Sequence, residues 1–334
     1  MTRWSLWRDT HTHTTFFVVA CDWTDGKVFN RHHHQFNCAK IPRKKKYLSP
    51  VIIDMCSNFT VTSEIHTENC NEISSNAEEY SIITAFSFIY PRYMAAELKN
   101  NYPKYDEDDD LIVNRKKEGK LLIEHSISTE LKFVGLQVWR GALLLADYIL
   151  ANPKIFEHKT ILELGSGVGL TSIVASFLAN EVICTDINLD GILEMINRNV
   201  QRNSEFVRAK LNVMALDFLN CNWSTFLIEK LTKTTIILAA DVIYDIDITK
   251  GFVNTLEKLL GDDSSRTAYI ALEKRYVFTI NDLDSVAPMY EEFLRSIVKQ
   301  NLNWNIKMID LDFPQYFHYD RVKQMILMKI QKQI

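Results

Sequence analysis

The sequence predicts an α/β fold centred on a parallel sheet, and three stretches carry that prediction. Residues 160–170 read as a buried strand, a turn with glycine at 165, 167 and 169, and the opening of a helix. Residues 182–186 read as a second buried strand ending in an acid, roughly twenty residues past the first glycine, the distance at which a carboxylate meets ribose hydroxyls. Residues 235–245 supply another buried strand, whose apolar and small side chains run directly into Asp241. Ligand groups in such sheets gather at the carboxyl ends of the strands, so the glycine turn, Asp186 and Asp241 fall on one side.

Composition sets the outer limits. A chain of 334 residues, 47% of them hydrophobic, can bury a large core and suggests one large domain, or a domain with an N-terminal extension. Its net charge of -4 gives no global basic field, so nucleic acid is not an expected direct partner. The six cysteines, at 21, 38, 56, 70, 184 and 221, form no C-x-x-C pair and no zinc spacing. Free thiols in a reducing compartment are expected, with no metal site. No eighteen-residue apolar run and no secretory signal pattern is found, which leads to the expectation of a soluble intracellular protein without a membrane partner.

Taken in order, residues 1–50 are the least readable. His11, His13, His32, His33, His34, Cys21 and Cys38 allow a metal site to be imagined, but a disordered tail is the expectation. Residues 42–47 form a basic cluster that fits either an import signal or a solvated tail. Residues 51–110 read as an N-terminal extension: a strand near 58–66, a polar loop over 70–80, and an apolar helix over 82–98 interrupted near Pro91. The acidic run 106–110 reads as a solvated loop, with attraction of a basic substrate as the alternative. A hairpin is expected from residues 111–113 and 121–123 around the turn 115–120, and the main domain, 111–334, begins there.

Within that domain Leu143, Leu144, Tyr148, Ile149 and Leu150 mark a core helix, preceded by Trp139, which either flanks a ligand or packs. Helical spacing recurs from Leu170, from Leu189 and from Phe252. Residues 211–218 read as a strand ending near Asp217, an acid that either accepts from a nucleobase amine or caps a loop. A strand at 267–272 leads to Glu273, which either faces a substrate or forms a surface salt bridge. A helix over 290–298 and strands at 304–311 and 324–330 complete the fold. The aromatic connection 313–319 reads as packing, with a substrate groove as the alternative.

The glycines indicate which nucleoside is bound. A dinucleotide fingerprint needs glycine at 170, where this chain has Leu170, and an NAD-dependent oxidoreductase is disfavoured accordingly. With Glu163 the run is Glu-x-Gly-x-Gly-x-Gly, which resembles the first motif of the seven-β-strand S-adenosylmethionine-dependent methyltransferases. Asp241-Val-Ile-Tyr244 resembles the Asp-x-x-Tyr motif of the methyltransferase-like family 16 of protein-lysine methyltransferases, and residues 135–150 and 272–279 resemble that family further. The resemblance spans about Leu111 to the C-terminus and does not extend to residues 1–50.

The resemblance implies the Rossmann-like seven-stranded sheet of the class I S-adenosylmethionine-dependent methyltransferases, behind an N-terminal extension. It implies S-adenosyl-L-methionine held by Trp139, Glu163, Gly165, Ser166, Gly167, Gly169, Asp186, Asp217 and Ala240, with Asp186 at the ribose and Asp217 at the adenine. Asp241 and Tyr244 would position the lysine of a protein substrate, in the nucleus or cytoplasm. Phe218 stands where relatives have tryptophan. Methyl transfer needs alignment and exclusion of water and no metal, which suits these residue types. Two alternatives stand beside this reading: a methyltransferase for a nucleic acid or small molecule, and a non-catalytic binding module. The first would be favoured by an Asn-Pro-Pro-Tyr sequence, the second by a damaged glycine loop, and neither sign is present.

Overall fold

The computed structural model describes residues 60–65, 81–97, 118–279 and 284–333, and as backbone alone the short strands 4–9, 14–19, 28–29, 35–36 and 72–73. The histidine and cysteine positions named above within residues 1–70, the basic cluster and the acidic run lie outside the described residues. The chain divides into two compact units. One comprises residues 1–58 and 275–291 and contains the antiparallel pairs Trp4–Asp9 with Thr14–Val19 and Val277–Thr279 with Asp284–Val286. The other comprises residues 59–274 and 292–334 and carries the large sheet.

This second unit begins with β1 (Thr60–Thr62), β2 (Ser81–Ile89), α1 (Arg92–Glu97), β3 (Glu118–Ser126) and β4 (Ser128–Glu130). The helix expected over 82–98 is instead strand β2 followed by the short α1. Thr84, Phe86 and Phe88 are buried in alternation with half-buried neighbours, a period of two that only a strand places on one face. The expected hairpin is also corrected: β3 pairs antiparallel with β2, and residues 111–117 lie outside the described residues. Gly119 is no turn residue. A Cβ there would stand 2.4 Å from Cζ of Phe88, so its lack of a side chain lets the phenyl ring cross the strand.

A 3₁₀ helix (Leu131–Leu136) then leads into α2 (Arg140–Ala151), and β5 (Thr160–Leu164), α3 (Leu170–Ala175), β6 (Glu181–Asp186), α4 (Ile192–Arg202) and β7 (Lys210–Ala215) alternate after it. The unit continues with α5 (Thr225–Leu231), β8 (Ile236–Ala240), α6 (Ile246–Asp262), β9 (Thr267–Glu273), helix Pro288–Lys299, which straddles the two units in sequence, β10 (Trp304–Ile309) and β11 (Met325–Lys332). The sheet order is β7-β6-β5-β8-β9-β11-β10, parallel except for β11, which runs antiparallel between β9 and β10. Because the chain winds outward from β5 to β7 and then returns to β8, the order reverses between β5 and β8. Strand connections there leave in opposite directions and open a crevice at the carboxyl ends.

The central strands β5, β8 and β9 are almost wholly buried and correspondingly rich in isoleucine, leucine and alanine. Helix α2 lies in the core with Leu143, Leu144, Leu145, Ile149 and Leu150 at 0% exposure. Residues 131–151 are long and apolar enough to cross a membrane, but they are 72% buried and the helix breaks at Gln137. Asp147, midway along α2, is sealed among apolar side chains and holds the aromatic connection: it accepts from the Tyr316 and Phe317 N–H groups, the Tyr319 hydroxyl and the Arg321 guanidinium. The connection 313–319 therefore packs, as expected. On the other flank, Asn199 and Asn203 of α4 present their carboxamides to the backbone of Leu122 and Glu124, so helix side chains satisfy the open edge of β3.

Candidate active site

A cavity of about 510 Å³ opens where β5, β6, β7 and β8 end. Its walls come from residues 131–139 and from the loops that follow those four strands. Gly165 has φ +64° and Gly167 φ +57°, backbone positions that favour glycine. A Cβ on Gly165 would lie 2.7 Å from Val242 Cγ1, and one on Gly167 2.9 Å from the Gly135 carbonyl oxygen. The turn is thus pressed between the loop after β8 and the 131–139 wall. Gly169 differs from the other two. It sits at the start of α3 with φ +85° and faces Ile196 of α4, and it is not among the residues that line the cavity. Its role in this fold is close helix packing.

The acids at the strand ends are held by backbone. Asp186 accepts from the Gly167 N–H at Oδ2 and the Ile187 N–H at Oδ1, both at 2.7 Å. Burial nevertheless raises its pKa to about 6. Glu163 lies beneath the turn at 1% exposure, accepts from the Ser172 hydroxyl, and is lifted by burial to about 7. Asp217 forms an Asx turn, its Oδ1 accepting from the Leu219 N–H at 2.8 Å, while still lining the cavity; capping and ligand access coexist there. Phe218 packs edge-on against Phe252 with 5.5 Å between centroids.

Asp241 closes the end of β8 with a left-handed backbone, φ +52°, uncommon for a residue with a side chain. Its own N–H donates to the Ala271 carbonyl, its Oδ1 accepts from the Glu273 N–H at 2.9 Å, and its Oδ2 accepts from the Gly141 N–H at 2.6 Å. The carboxylate therefore ties the ends of β8 and β9 to the N-terminus of α2, where a negative charge is favoured. Gly141 permits this approach, since a Cβ would come within 2.5 Å of Oδ2. Beside it Arg140 pairs with Glu273 at 3.0 Å, both side chains almost fully buried. The surface salt bridge expected for Glu273 is thus a buried one, outside the cavity lining. Tyr244 faces the cavity, and its hydroxyl makes no hydrogen bond among the described residues. Burial first, then the charges of Asp186 and Asp245, raise its pKa. Trp139 lines the cavity with its indole N–H donating to the Val134 carbonyl at 2.9 Å.

The cavity thus gathers Trp139, Glu163, Gly165, Ser166, Gly167, Asp186, Asp217, Ala240, Asp241 and Tyr244. The sequence reading missed Leu131, Lys132 and Phe133 on the 3₁₀ segment, and Asp245 and Ile248 at the start of α6. Nothing in the periodicity marked the former. The latter stand directly after the Asp-x-x-Tyr motif, and the N-cap aspartate at 245 was a readable signal.

Residues 115–300, more than half of the chain, match the lysine methyltransferase family. The chain belongs to this family. It is 39% identical over 249 residues to methyltransferase-like protein 22 of Mus musculus, covering 67% of this chain and 63% of that relative, and so spans somewhat less than two thirds of the relative's length. It is 26% identical over 181 residues to a protein-lysine N-methyltransferase of Homo sapiens, covering 52% of each chain. Among solved structures, a magnesium protoporphyrin IX methyltransferase from Synechocystis with bound S-adenosylmethionine aligns with a TM-score of 0.39 at 14% identity, over 58% of this chain and 80% of that one.

The lysine methyltransferase family uses the class I S-adenosylmethionine-dependent fold, and the sheet order and closing antiparallel pair described above are of that fold. Three observations test whether this cavity suits such a nucleoside. Gly165, Ser166 and Gly167 line the cavity, so the main chain of the turn borders the space a ligand would fill. Asp186 stands at the strand end with lone pairs beyond its two backbone donors. Ser166 has a buried hydroxyl in the lining with no hydrogen-bond partner among the described residues. The residues fit the group.

Proposed function

We propose that this chain is an S-adenosylmethionine-dependent protein-lysine N-methyltransferase. The observation that supports this most directly is the convergence, in one cavity, of acids at the ends of β5, β6 and β7 with Asp241 and Tyr244 just past β8. Trp139, Glu163, Gly165, Ser166, Gly167, Asp186, Asp217 and Ala240 would hold the cofactor, Asp186 at the ribose and Asp217 at the adenine. Bound S-adenosylmethionine supplies a methyl carbon on a positively charged sulfur.

The lysine of a protein substrate enters past Tyr244. Asp241, already fixed by backbone hydrogen bonds, attracts the incoming ammonium with its negative charge, and the Tyr244 hydroxyl orients the nitrogen. Proximity to a second positive charge lowers the lysine pKa, and the ammonium loses its proton to water. The neutral nitrogen would then take the methyl group, which S-adenosylmethionine would supply by giving up its C–S bond with the bonding electrons left on sulfur. No protein base is required.

The test is transfer of radiolabelled methyl groups from S-adenosylmethionine into cell-extract proteins, followed by mass spectrometry of labelled bands. Wild type is expected to label lysine, and Tyr244→Phe to label at least tenfold more slowly. Label on another residue type or on nucleic acid, or none from an enzyme that binds the cofactor calorimetrically, would overturn the assignment. Asp241→Ala is the weaker probe, because it also orphans the Gly141 and Glu273 N–H groups.

A further inference from the structure

We propose that Asp245 determines substrate specificity by pairing with a lysine or arginine next to the target lysine, so that the preferred acceptor lies in a basic segment. This rests on the lysine-methylation reading and deepens it. Asp245 caps α6 with one oxygen only: Oδ1 accepts from the Asp247 and Ile248 N–H groups at 2.9 and 3.0 Å. Oδ2 has no hydrogen bond and no ion pair among the described residues. The residue is half-buried, lines the cavity, and adjoins Tyr244, whose raised pKa owes part of its shift to this carboxylate.

The charges around it favour a cation. Among the described residues the lining holds five acids, Glu163, Asp186, Asp217, Asp241 and Asp245, and a single cation, Lys132, which is already engaged by Glu130 at 3.2 Å and lies over the Phe133 ring. Glu163 lies beneath the turn and accepts from the Ser172 hydroxyl, and each oxygen of Asp186 accepts a backbone N–H. Asp241 accepts a backbone N–H at each oxygen and is assigned to the target ammonium itself. Asp217 follows β7 and turns one oxygen onto its own loop, where Oδ1 accepts from the Leu219 N–H. Asp245 is therefore the carboxylate with an uncommitted oxygen at the Tyr244 side, and the exposed Asp247 beside it adds to the negative field.

Asparagine at 245 keeps an oxygen for the helix cap and removes the charge, which separates recognition from folding. The experiment measures methylation of a peptide library with lysine fixed at the centre and one flanking position at a time set to arginine, alanine or glutamate. For wild type, arginine at one flank is expected to give a several-fold higher kcat/KM than alanine, with glutamate poorest. In Asp245→Asn the arginine-to-alanine ratio is expected to fall about fivefold, through KM rather than kcat, as for loss of a partly exposed ion pair. Its thermal midpoint should stay near that of wild type. An unchanged ratio would overturn the proposal, as would an equal fall in kcat for all peptides, which would place Asp245 on the target amine itself. A cofactor-binding wild type that labels no library peptide overturns the parent reading, an outcome distinct from the other two.

Discussion

Glu163 and Asp186 show how one side chain can link the fold to its ligand. Each is an acid pushed above its ordinary range by burial, Glu163 to about 7 and Asp186 to about 6. A folded state that holds a proton more tightly than the unfolded one is favoured at low pH. The Glu163 contribution is full below about 4.5 and is lost as pH rises through about 7. We expect urea denaturation of the ligand-free protein to show stability falling between pH 5 and 8, roughly 2–3 kcal/mol of the fall coming from Glu163, and Glu163→Gln to reduce that slope. A cationic ligand reverses the preference. Binding of S-adenosylmethionine should release protons near pH 6.5, measurable as buffer-dependent heat in calorimetry, with a smaller release in Glu163→Gln.

At the scale of elements, the end of β9 and the start of α2 are joined by two devices, the Asp241 cap and the Arg140–Glu273 pair. A buried pair is a weak source of net stability, but breaking it is costly because one charge stays behind in the core. Arg140→Met should therefore lose about 3–5 kcal/mol, while Arg140→Met combined with Glu273→Leu should recover most of that loss. Urea denaturation of the two single variants and the double variant gives the coupling directly. If the pair also fixes Asp241, methyl transfer by the stable double variant should fall more than its stability does.

At the scale of the whole second unit, the segment around β1 braces the cavity wall from outside. Gln137 accepts from the Ser63 N–H at 2.7 Å and donates to the Val61 carbonyl and the Thr129 hydroxyl, while the Ser63 hydroxyl donates to the Val138 carbonyl. These bonds are buried or partly buried, and three of them connect residues more than seventy positions apart to the wall that carries Trp139. Gln137→Leu preserves bulk and removes the amide, leaving the Ser63 N–H without its acceptor. The expected result is a loss of about 2–3 kcal/mol in stability and roughly tenfold weaker S-adenosylmethionine binding by calorimetry. Unaltered affinity would mean that the wall stands without its brace.

The sequence by itself determined the centre of this protein. Strands β5, β6, β8 and β9 are buried and mainly apolar because both faces of a central parallel strand are covered, and that signal is local. The glycine turn and the acids at the strand ends were legible for the same reason: each needs a particular residue at a particular offset within its own stretch. What only the tertiary structure decided depends on partners distant in the chain. Gly119 looked like a turn because its collision partner, Phe88, lies on another strand, and Gly169 resembled its two neighbours until Ile196 was seen against it. Glu273 was buried rather than exposed because Arg140 waits for it across the core. The wall at 131–139 carries little periodicity of its own, since a 3₁₀ segment is held by contacts such as Gln137 with Ser63 more than by its own propensity. Local patterns report what a residue needs from its immediate neighbours; burial, charge pairing and the committed oxygens of Asp241 and Asp245 are set by which strands and helices meet.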